Sequence, residues 1–408
     1  MTSKSHTPRP PPSGRRRFTA PLILLILAAG LICGWQKRSP RCVILGSDTR
    51  WGPGTIVIDH RVVVPHDAVL SIQPGTTVTF GHRAGLIVYG GLHAIGTCAD
   101  PILFTRRPDT EALWGQVAIY GATQGARIAH TRFEYAGADA QVIDIRRSVV
   151  AIEDVRFADM ACTVVQIVDS SLHLSHSTFE ALGEYEFIRG KRIPEGGHMI
   201  VASNVFHTNV GYRDIIDFSL CARPGPVPRF VGNHFLGGGD DGLDLDYCDA
   251  YVAGNTFVNF NLRGHDKWAN AISVGRNSRV HVTNNVFAFN DHGILTKDDS
   301  HVTVVHCTFY SNKIAAISFN EPAHTGGGAT IERCVFAGNA SAFKYGKDAR
   351  VLTVTHSILP LQDDLTYTNN LAMDPPFVDA GAGDYRLEAG TPAWGANLPP
   401  PARIGGGS

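Results

Sequence analysis

Tyr251-Val252-Ala253-Gly254-Asn255-Thr256-Phe257 and Val280-His281-Val282-Thr283-Asn284-Asn285-Val286-Phe287 are one passage written twice. Each alternates apolar and polar residues, places an Asn two positions before an aromatic, and closes on that aromatic. Alternation with a period of two is strand patterning, and little helical periodicity occurs anywhere in the chain. The closing aromatic recurs at Phe133, Phe157, Phe179, Phe206, Phe235, Phe257, Phe287, Phe309 and Phe336, and Ile358 continues the series. The intervals are 24, 22, 27, 29, 22, 30, 22, 27 and 22 residues, so the minimum is also the commonest value. A fixed minimum with variable additions is how a coil of a solenoid behaves when loops are inserted into it.

Leucine-rich repeats share this length, but their Leu spacing and consensus Asn are missing. The expected fold is therefore all-β, a single-stranded right-handed parallel β-helix over residues 42–360, with a C-terminal cap and tail at 361–408. A second column supports it. Asn204, Asn233, Asn255 and Asn285 stand two residues before the aromatic in four successive coils. Stacked at a strand spacing of about 4.8 Å, they are expected to form a ladder of side-chain amides. Cys307 and Cys334 continue this column. Their side chains point the same way, so buried thiols are expected there. Cys221 and Cys248 form another equivalent pair, for which a disulfide or two thiols stay open.

Composition narrows the class. The chain has 408 residues, 44% hydrophobic and 18% charged, enough apolar material for a large core and incompatible with wholesale disorder. Lys and Arg total 36 against 37 Asp and Glu, which excludes a generally basic nucleic-acid binder. Eight Cys are too few for a disulfide-built scaffold. At the N-terminus, the polar segment 1–17 ends in Arg15, Arg16 and Arg17, and Phe18 to Cys33 is an uncharged apolar run. Charge ahead of such a run places the N-terminus in the cytoplasm and the body across the membrane. Residues 18–35 read as a transmembrane signal-anchor; cleavage after Ala28, Ala29 and Gly30 is the rival reading. Either way the body is expected outside the cytoplasm, in the periplasm or at the cell surface, and as a monomer.

The strings "VVVPHDAVLSIQPGTTVTF" and "GGLHAIGTCADPILFTRRPDTEALWGQVAIYG" resemble the opening coils of bacterial pectate-lyase-like β-helix repeat proteins. "GDDGLDLDYCDAYVAGNTF", "GHDKWANAISVGRNS" and "GILTKDDS" are similar to their central coils, and "DPPFVDAGAGDYRLEAGTPAW" to their terminal segment. The resemblance spans about residues 45–395. It implies the fold more strongly than any activity, because the superfamily includes pectate lyases, polygalacturonases, chondroitinase B-type lyases, alginate epimerases and proteins without catalysis.

Aligning coils by their aromatics puts Asp144, Gln166, Asp217, Asp244, Ser273, Ser318 and Lys344 in one outward column, with Leu295 joining if its coil carries one extra residue. Ser219, Asp246, Gly275, Lys297 and Asn320 form the neighbouring one. Asp214, Asp240 and Asp241 sit at the same strand edge. So many carboxylates on one patch raise one another's pKa unless a cation intervenes, and hard oxygen ligands suit Ca²⁺. Asp217, Asp241, Asp244 and Asp246 are the expected calcium ligands. Lys297, Lys267, Arg263 and His265 are the candidate catalytic residues, with a Lys of depressed pKa as the base. The expected activity is calcium-dependent β-elimination on an acidic, uronate-containing polysaccharide. Two alternatives stand beside it. In a hydrolase, an acid and a base carboxylate flank the bond; Asp240-Asp241 and "GILTK" are similar to the "DD" and "RIK" motifs of polygalacturonases, although Leu295 replaces the Arg and the Gly-His-Gly string is absent. The other alternative is a non-catalytic carbohydrate binder or surface scaffold. His281, His292, His301 and His306 show no compact metal-ligand spacing.

Overall fold

The computed structural model describes residues 42–261, 269–360 and 369–391. The N-terminal tail and apolar run, Arg263, His265 and Lys267 lie outside the described residues. Among the described residues, no helix is long and apolar enough to cross a membrane.

Short strands, three or so to a turn, wind along the chain, and each pairs in parallel with its counterpart one turn away. One face is a sheet of thirteen parallel strands among the described residues, from Cys42–Ile44 to Phe343–Lys344. Apart from one antiparallel pair near the C-terminus, the remaining described strands build the other faces, also by parallel coil-to-coil pairing. The expected outward column is observed in full register: Asp144 pairs with Gln166, Asp217 with Asp244, Asp244 with Ser273, Ser273 with Leu295, Leu295 with Ser318, and Ser318 with Lys344. The position left vacant between Gln166 and Asp217 is held by Arg189.

Parallel stacking at the strand spacing sets like on like inside the coil. Rings from Phe104 to Phe336 lie in one continuous pile, with centroids 4.5–5.3 Å apart between successive coils. Phe80 extends it, 5.8 Å from Phe104. The pile does not continue through Ile358. Val335 pairs with Ile358, so Leu359, 6% exposed, takes the position after Phe336. The last coil carries one residue more than the 22-residue minimum, and one residue of slip exchanges the two faces of a strand.

The amide ladder forms as expected. Asn204 donates from its backbone N–H and from Nδ2 to Asn233 Oδ1, both at 3.0 Å; Asn233 does the same to Asn255, and Asn255 to Asn285, at 2.8–2.9 Å. Each side chain thus satisfies a buried N–H of the preceding coil, which a dry interior otherwise leaves orphaned. The sulfurs extend the series: Asn285 N–H points at Cys307 Sγ (3.5 Å) and Cys307 N–H at Cys334 Sγ (3.4 Å). These two are buried free thiols, as expected, and Cys221 and Cys248, register partners, are also free and buried. A second ladder, Asn290–Asn312–Asn339, runs at another corner. C-terminally, Leu371–Ala372 pairs with the last coil, and the antiparallel pair Phe377–Asp379 and Asp384–Leu387 packs Phe377 and Tyr385 against Tyr310 on the flank.

Phe257→Ala opens a cavity in the middle of the ring pile and should cost about 3–5 kcal/mol. Asn233→Ala strands the backbone N–H and one of the two amide hydrogens of Asn204, whose Nδ2 keeps the Leu174 carbonyl, and should cost about 1–3 kcal/mol for each donor left unpaired. Chemical denaturation of the purified body measures both; a loss below 1 kcal/mol in Phe257→Ala would contradict the packing described.

Candidate functional site

Four successive coils begin a strand of the thirteen-stranded sheet with the same short pattern: Asp214-Ile215-Ile216, Asp241-Gly242-Leu243, Asn270-Ala271-Ile272 and His292-Gly293-Ile294. The third residue of each faces the core and is fully buried. Register then stacks Asp214, Asp241, Asn270 and His292, because Ile216 pairs with Leu243, Leu243 with Ile272, and Asn270 with His292. Hydrogen bonds run along this column. Asp214 Oδ1 accepts the backbone N–H of Asp241 at 3.2 Å, Asn270 Nδ2 donates to Asp241 Oδ1 at 2.7 Å, and His292 Nδ1 stands 2.9 Å from Asn270 Oδ1. The amide of Asn270 therefore points its oxygen at His292 and its NH₂ at Asp241, so His292 carries its hydrogen on Nδ1. This leaves Asp241 Oδ2 as the oxygen that can hold a proton. Burial, aided by Lys344, lowers the His292 pKa to about 3, so the ring is neutral.

Beside this column is a polar cavity of about 220 Å³. It is lined by Asp214, Asp240, Asp241, Asp244, Asp246 and Asn270 on one side, and by Arg276, Lys297, Asp298, Glu321 and His324 on the other. One oxygen each from Asp214, Asp240 and Asp241 lies within 4.8 Å of the others. Gly275 makes the room: it separates Asp246 from Lys297 in the outward column, and a Cβ there would lie 2.4 Å from Asp246 Oδ1 and 3.6 Å from Lys297 Cε. The far wall is the loop after Ser318. Gly326 bridges back to Lys297, and Gly327 comes so close to Thr296 that a Cβ would sit 2.2 Å from its Oγ1. Ser273, Leu295 and Ser318, expected to face outward on a solvated strand surface, are fully buried.

Of the expected calcium set, Asp241, Asp244 and Asp246 line this cavity. Asp217 stands next to Asp244 in register but does not line it; it pairs instead with Arg189 at 3.3 Å. Asp246 pairs with Arg276 at 3.0 Å. The carboxylates that converge are those at the strand start, with Asp214 and Asp240 joining Asp241. Crowding and burial show in their protonation. Burial, then the charges of Asp241, Asp244, Asp240 and Asp217, raise the Asp214 pKa well above the carboxylate range. Burial and Asp240 push Asp241 up to about 8, against the pull of Lys297 and Asn270. Burial and the neighbouring carboxylates raise Asp244 likewise.

Lys297 departs from its expected state. Burial lowers its pKa, but the hydrogen bond to Glu321 Oε2 at 2.6 Å and the charges of Asp241, Glu321 and Asp244 outweigh burial, and the net shift is upward. Lys297 is an ammonium at neutral pH, not the free amine a base requires. Glu321 is also 3.9 Å from His324, which pairs with Asp298 at 2.9 Å. Asn270, Arg276, Asp298, Glu321 and His324 were absent from the sequence-derived set. The repeated polar-x-apolar pattern marks Asn270 and His292; nothing local marks the others, of which Arg276 and Asp298 follow the strand ends and Glu321 and His324 arrive on a returning loop.

Comparison with known proteins supports the fold. A family model described as "Right handed beta helix region" matches residues 229–359. No curated protein sequence matches the chain. Among solved structures, the chain is similar to tailspike protein 3 of bacteriophage CBA120, at 11% identity and a TM-score of 0.42, over 79% of this chain and 58% of the tailspike. The chain thus spans little more than half of that protein's length. It is also similar to PfbA, a surface adhesin of Streptococcus pneumoniae (10% identity, TM-score 0.39, 80% of this chain and 87% of PfbA). A third is the periplasmic alginate epimerase AlgG (12% identity, TM-score 0.36, 77% of this chain and 85% of AlgG).

The raised pKa of Asp241 has a stability signature. The folded chain keeps a proton that the unfolded chain, with a carboxyl near 3.9, releases. That contribution is complete below about pH 4 and is lost as pH rises through about 8. Thermal unfolding in chelator-treated buffer should show Tm falling over this interval and a shallower fall in Asp241→Asn; an identical slope in the variant would overturn the assignment. The coil register, the like-on-like core and the matched family region together identify the described body as a right-handed parallel β-helix.

Proposed function

We propose that this protein cleaves a uronate-containing polysaccharide outside the cytoplasm, and that its acidic cavity works by carboxyl acid-base chemistry. The observation that carries this reading is the lining of one cavity by a proton-holding Asp241 and a Lys297 held as the ammonium by Glu321. In a hydrolase, Asp241 donates the proton of Oδ2 to the glycosidic oxygen as the bond breaks. A second carboxylate lining the cavity, farther from Asp241 than Asp240 is, draws a proton from the attacking water. Asn270 and His292 hold Asp241 in orientation, and Lys297 and Arg276 receive the carboxylate of a uronate. The cationic wall gives the preference for an acidic sugar; an uncharged chain offers Lys297 and Arg276 no anionic group beyond their own Glu321 and Asp246.

Calcium-dependent elimination, the activity expected from the sequence, becomes the second reading and is supported by the convergence of Asp214, Asp240 and Asp241. Three carboxylates with oxygens that close fit a hard cation, and Asp244 is near enough to raise the site's charge further. Bound there, Ca²⁺ would neutralise a uronate carboxylate and acidify the adjacent carbon. Lys297 is an ammonium, so the base in that case is one of the remaining candidates, Lys267, Arg263 or His265. The uncharged apolar run within 18–35, read as a signal-anchor or a cleaved signal, supports a body in the periplasm or at the cell surface.

Polygalacturonate, alginate and glycosaminoglycans are the test substrates. Reducing ends without unsaturated uronate, unaffected by chelator, are expected, and Asp241→Asn should slow their release by about 10²–10⁴-fold. Lys297→Ala should raise KM more than it lowers kcat. Unsaturated products lost on chelation would establish the lyase instead. No release from any of these polymers by the intact chain would leave a carbohydrate-binding or scaffold role. A periplasmic reporter joined after Ser408 should be active; activity of a cytoplasmic reporter would overturn the location.

A further inference from the structure

A second cluster of chemically active side chains lies far from the acidic cavity along the coils. Ala129 pairs with Ile95 and with Glu153, and Thr131 with Ile102 and Val155, so the bend at His130 stacks on Asp154 above it and on the short loop holding Cys98 below. The next coil adds His176 at the same bend, between Ser175 and Thr178, the partners of Glu153 and Arg156. Cys98, His130, Asp154 and His176 line one surface cavity of about 340 Å³.

The contacts converge on a single atom. Asp154 Oδ2 lies 2.5 Å from His130 Nδ1, and Cys98 Sγ lies 3.7 Å from the same nitrogen. One sulfur, one nitrogen and one oxygen stand within 4.8 Å of one another. A Cys-His-Asp relay uses the two ring nitrogens separately, one for the thiol and one for the carboxylate. Here both partners approach Nδ1, which has room for one hydrogen or one lone pair and so serves only one of them. Three donor atoms of mixed softness around one point is the arrangement of a metal centre, and the S, N, O set suits zinc better than calcium or magnesium.

We propose that Cys98, His130 and Asp154 form a zinc site, with His176 or water as the fourth ligand. Tetrahedral bond lengths of about 2.3 Å to sulfur and about 2.0–2.2 Å to nitrogen and oxygen put ligand atoms roughly 3.4–3.6 Å apart. The Cys98–His130 separation is already close to this. The exposed Asp154 carboxylate has to swing outward by about 0.9 Å, which a side chain at the surface does freely. Arg132 and Arg156, which also line the cavity, are paired with Glu134 and Glu180 and so do not oppose a cation in full. Zinc there would clamp three successive coils near the N-terminal end of the solenoid, where the Asn ladder has not begun.

The full chain, reduced and stripped of metal, is titrated with Co²⁺ and with Zn²⁺. One equivalent of Co²⁺ should give a thiolate-to-cobalt charge-transfer band, and Zn²⁺ should displace it and slow the alkylation of Cys98 as mapped by mass spectrometry. Cys98→Ser should abolish the band and weaken Zn²⁺ by at least about tenfold, the lower end of what losing even an outer-shell partner costs. His130→Asn, chosen because Asn tolerates the positive φ of 46° at this bend, should weaken it similarly with an unchanged far-UV CD spectrum. Asp241→Asn should leave the band intact, which separates this centre from the acidic cavity. Absence of the band in the unaltered chain, an equal band in Cys98→Ser, or alkylation indifferent to Zn²⁺ would show a plain His–Asp ion pair and overturn the proposal.

Discussion

Everything in this molecule depends on coils lying on one another at the spacing of a parallel sheet, about 4.8 Å. At that distance a side chain's neighbours along the axis are its own counterparts in the coils above and below. A position that works once must therefore work as a stack. Phe meets this demand through offset ring stacking and burial of a large apolar area. Asn meets it because one amide both donates and accepts along the axis, so each of its groups finds a partner without water. Cys307 and Cys334 meet it less strongly, as weak acceptors in a column that needs one, and this is why they stay thiols at a disulfide-compatible Cα distance.

The same rule creates the acidic cavity. Stacking that suits rings and amides is unfavourable for carboxylates, yet Asp214 stands on Asp241 and Asp217 on Asp244. The repulsion is relieved in two ways. Asp217 leans to Arg189, while Asp214, Asp241 and Asp244 take up protons in a shielded hollow. A solenoid thereby concentrates reactive groups without a dedicated active-site loop. Beyond the stack, one returning loop supplies Glu321 and His324, and Gly275 supplies the space.

The cluster at Cys98 arises differently. It sits at a bend, where residues of successive coils are close but not held in sheet register, and where an inserted loop brings in a side chain of another type. Columns within strands are uniform and favour structure; bends and insertions mix residue types and favour chemistry. Among the described residues, the acidic cavity and the Cys98 cluster lie at such places, the strand starts and a left-handed bend.

The sequence by itself determined the coil, its length and its interior. Spacing of Phe133 to Phe336 and the Asn column suffice for these, because inward positions recur at fixed separations and only a stack explains them. It also determined the outward column, including the place of Leu295. In the interior stack the slip, Ile358 for Leu359, came from a coil one residue longer than the minimum, which spacing cannot distinguish from the minimum without register. Only the tertiary structure decided which carboxylates meet. Asp241, Asp244 and Asp246 were legible as a group, but Asp217 turns away to Arg189, which falls in an interval of 27 residues with no landmark. The protonation of Lys297 was likewise out of reach, since it depends on Glu321, 24 residues ahead on a loop whose path no periodicity describes. Repetition makes the axis of a solenoid readable, whereas the position of a charge depends on the full three-dimensional set of its neighbours.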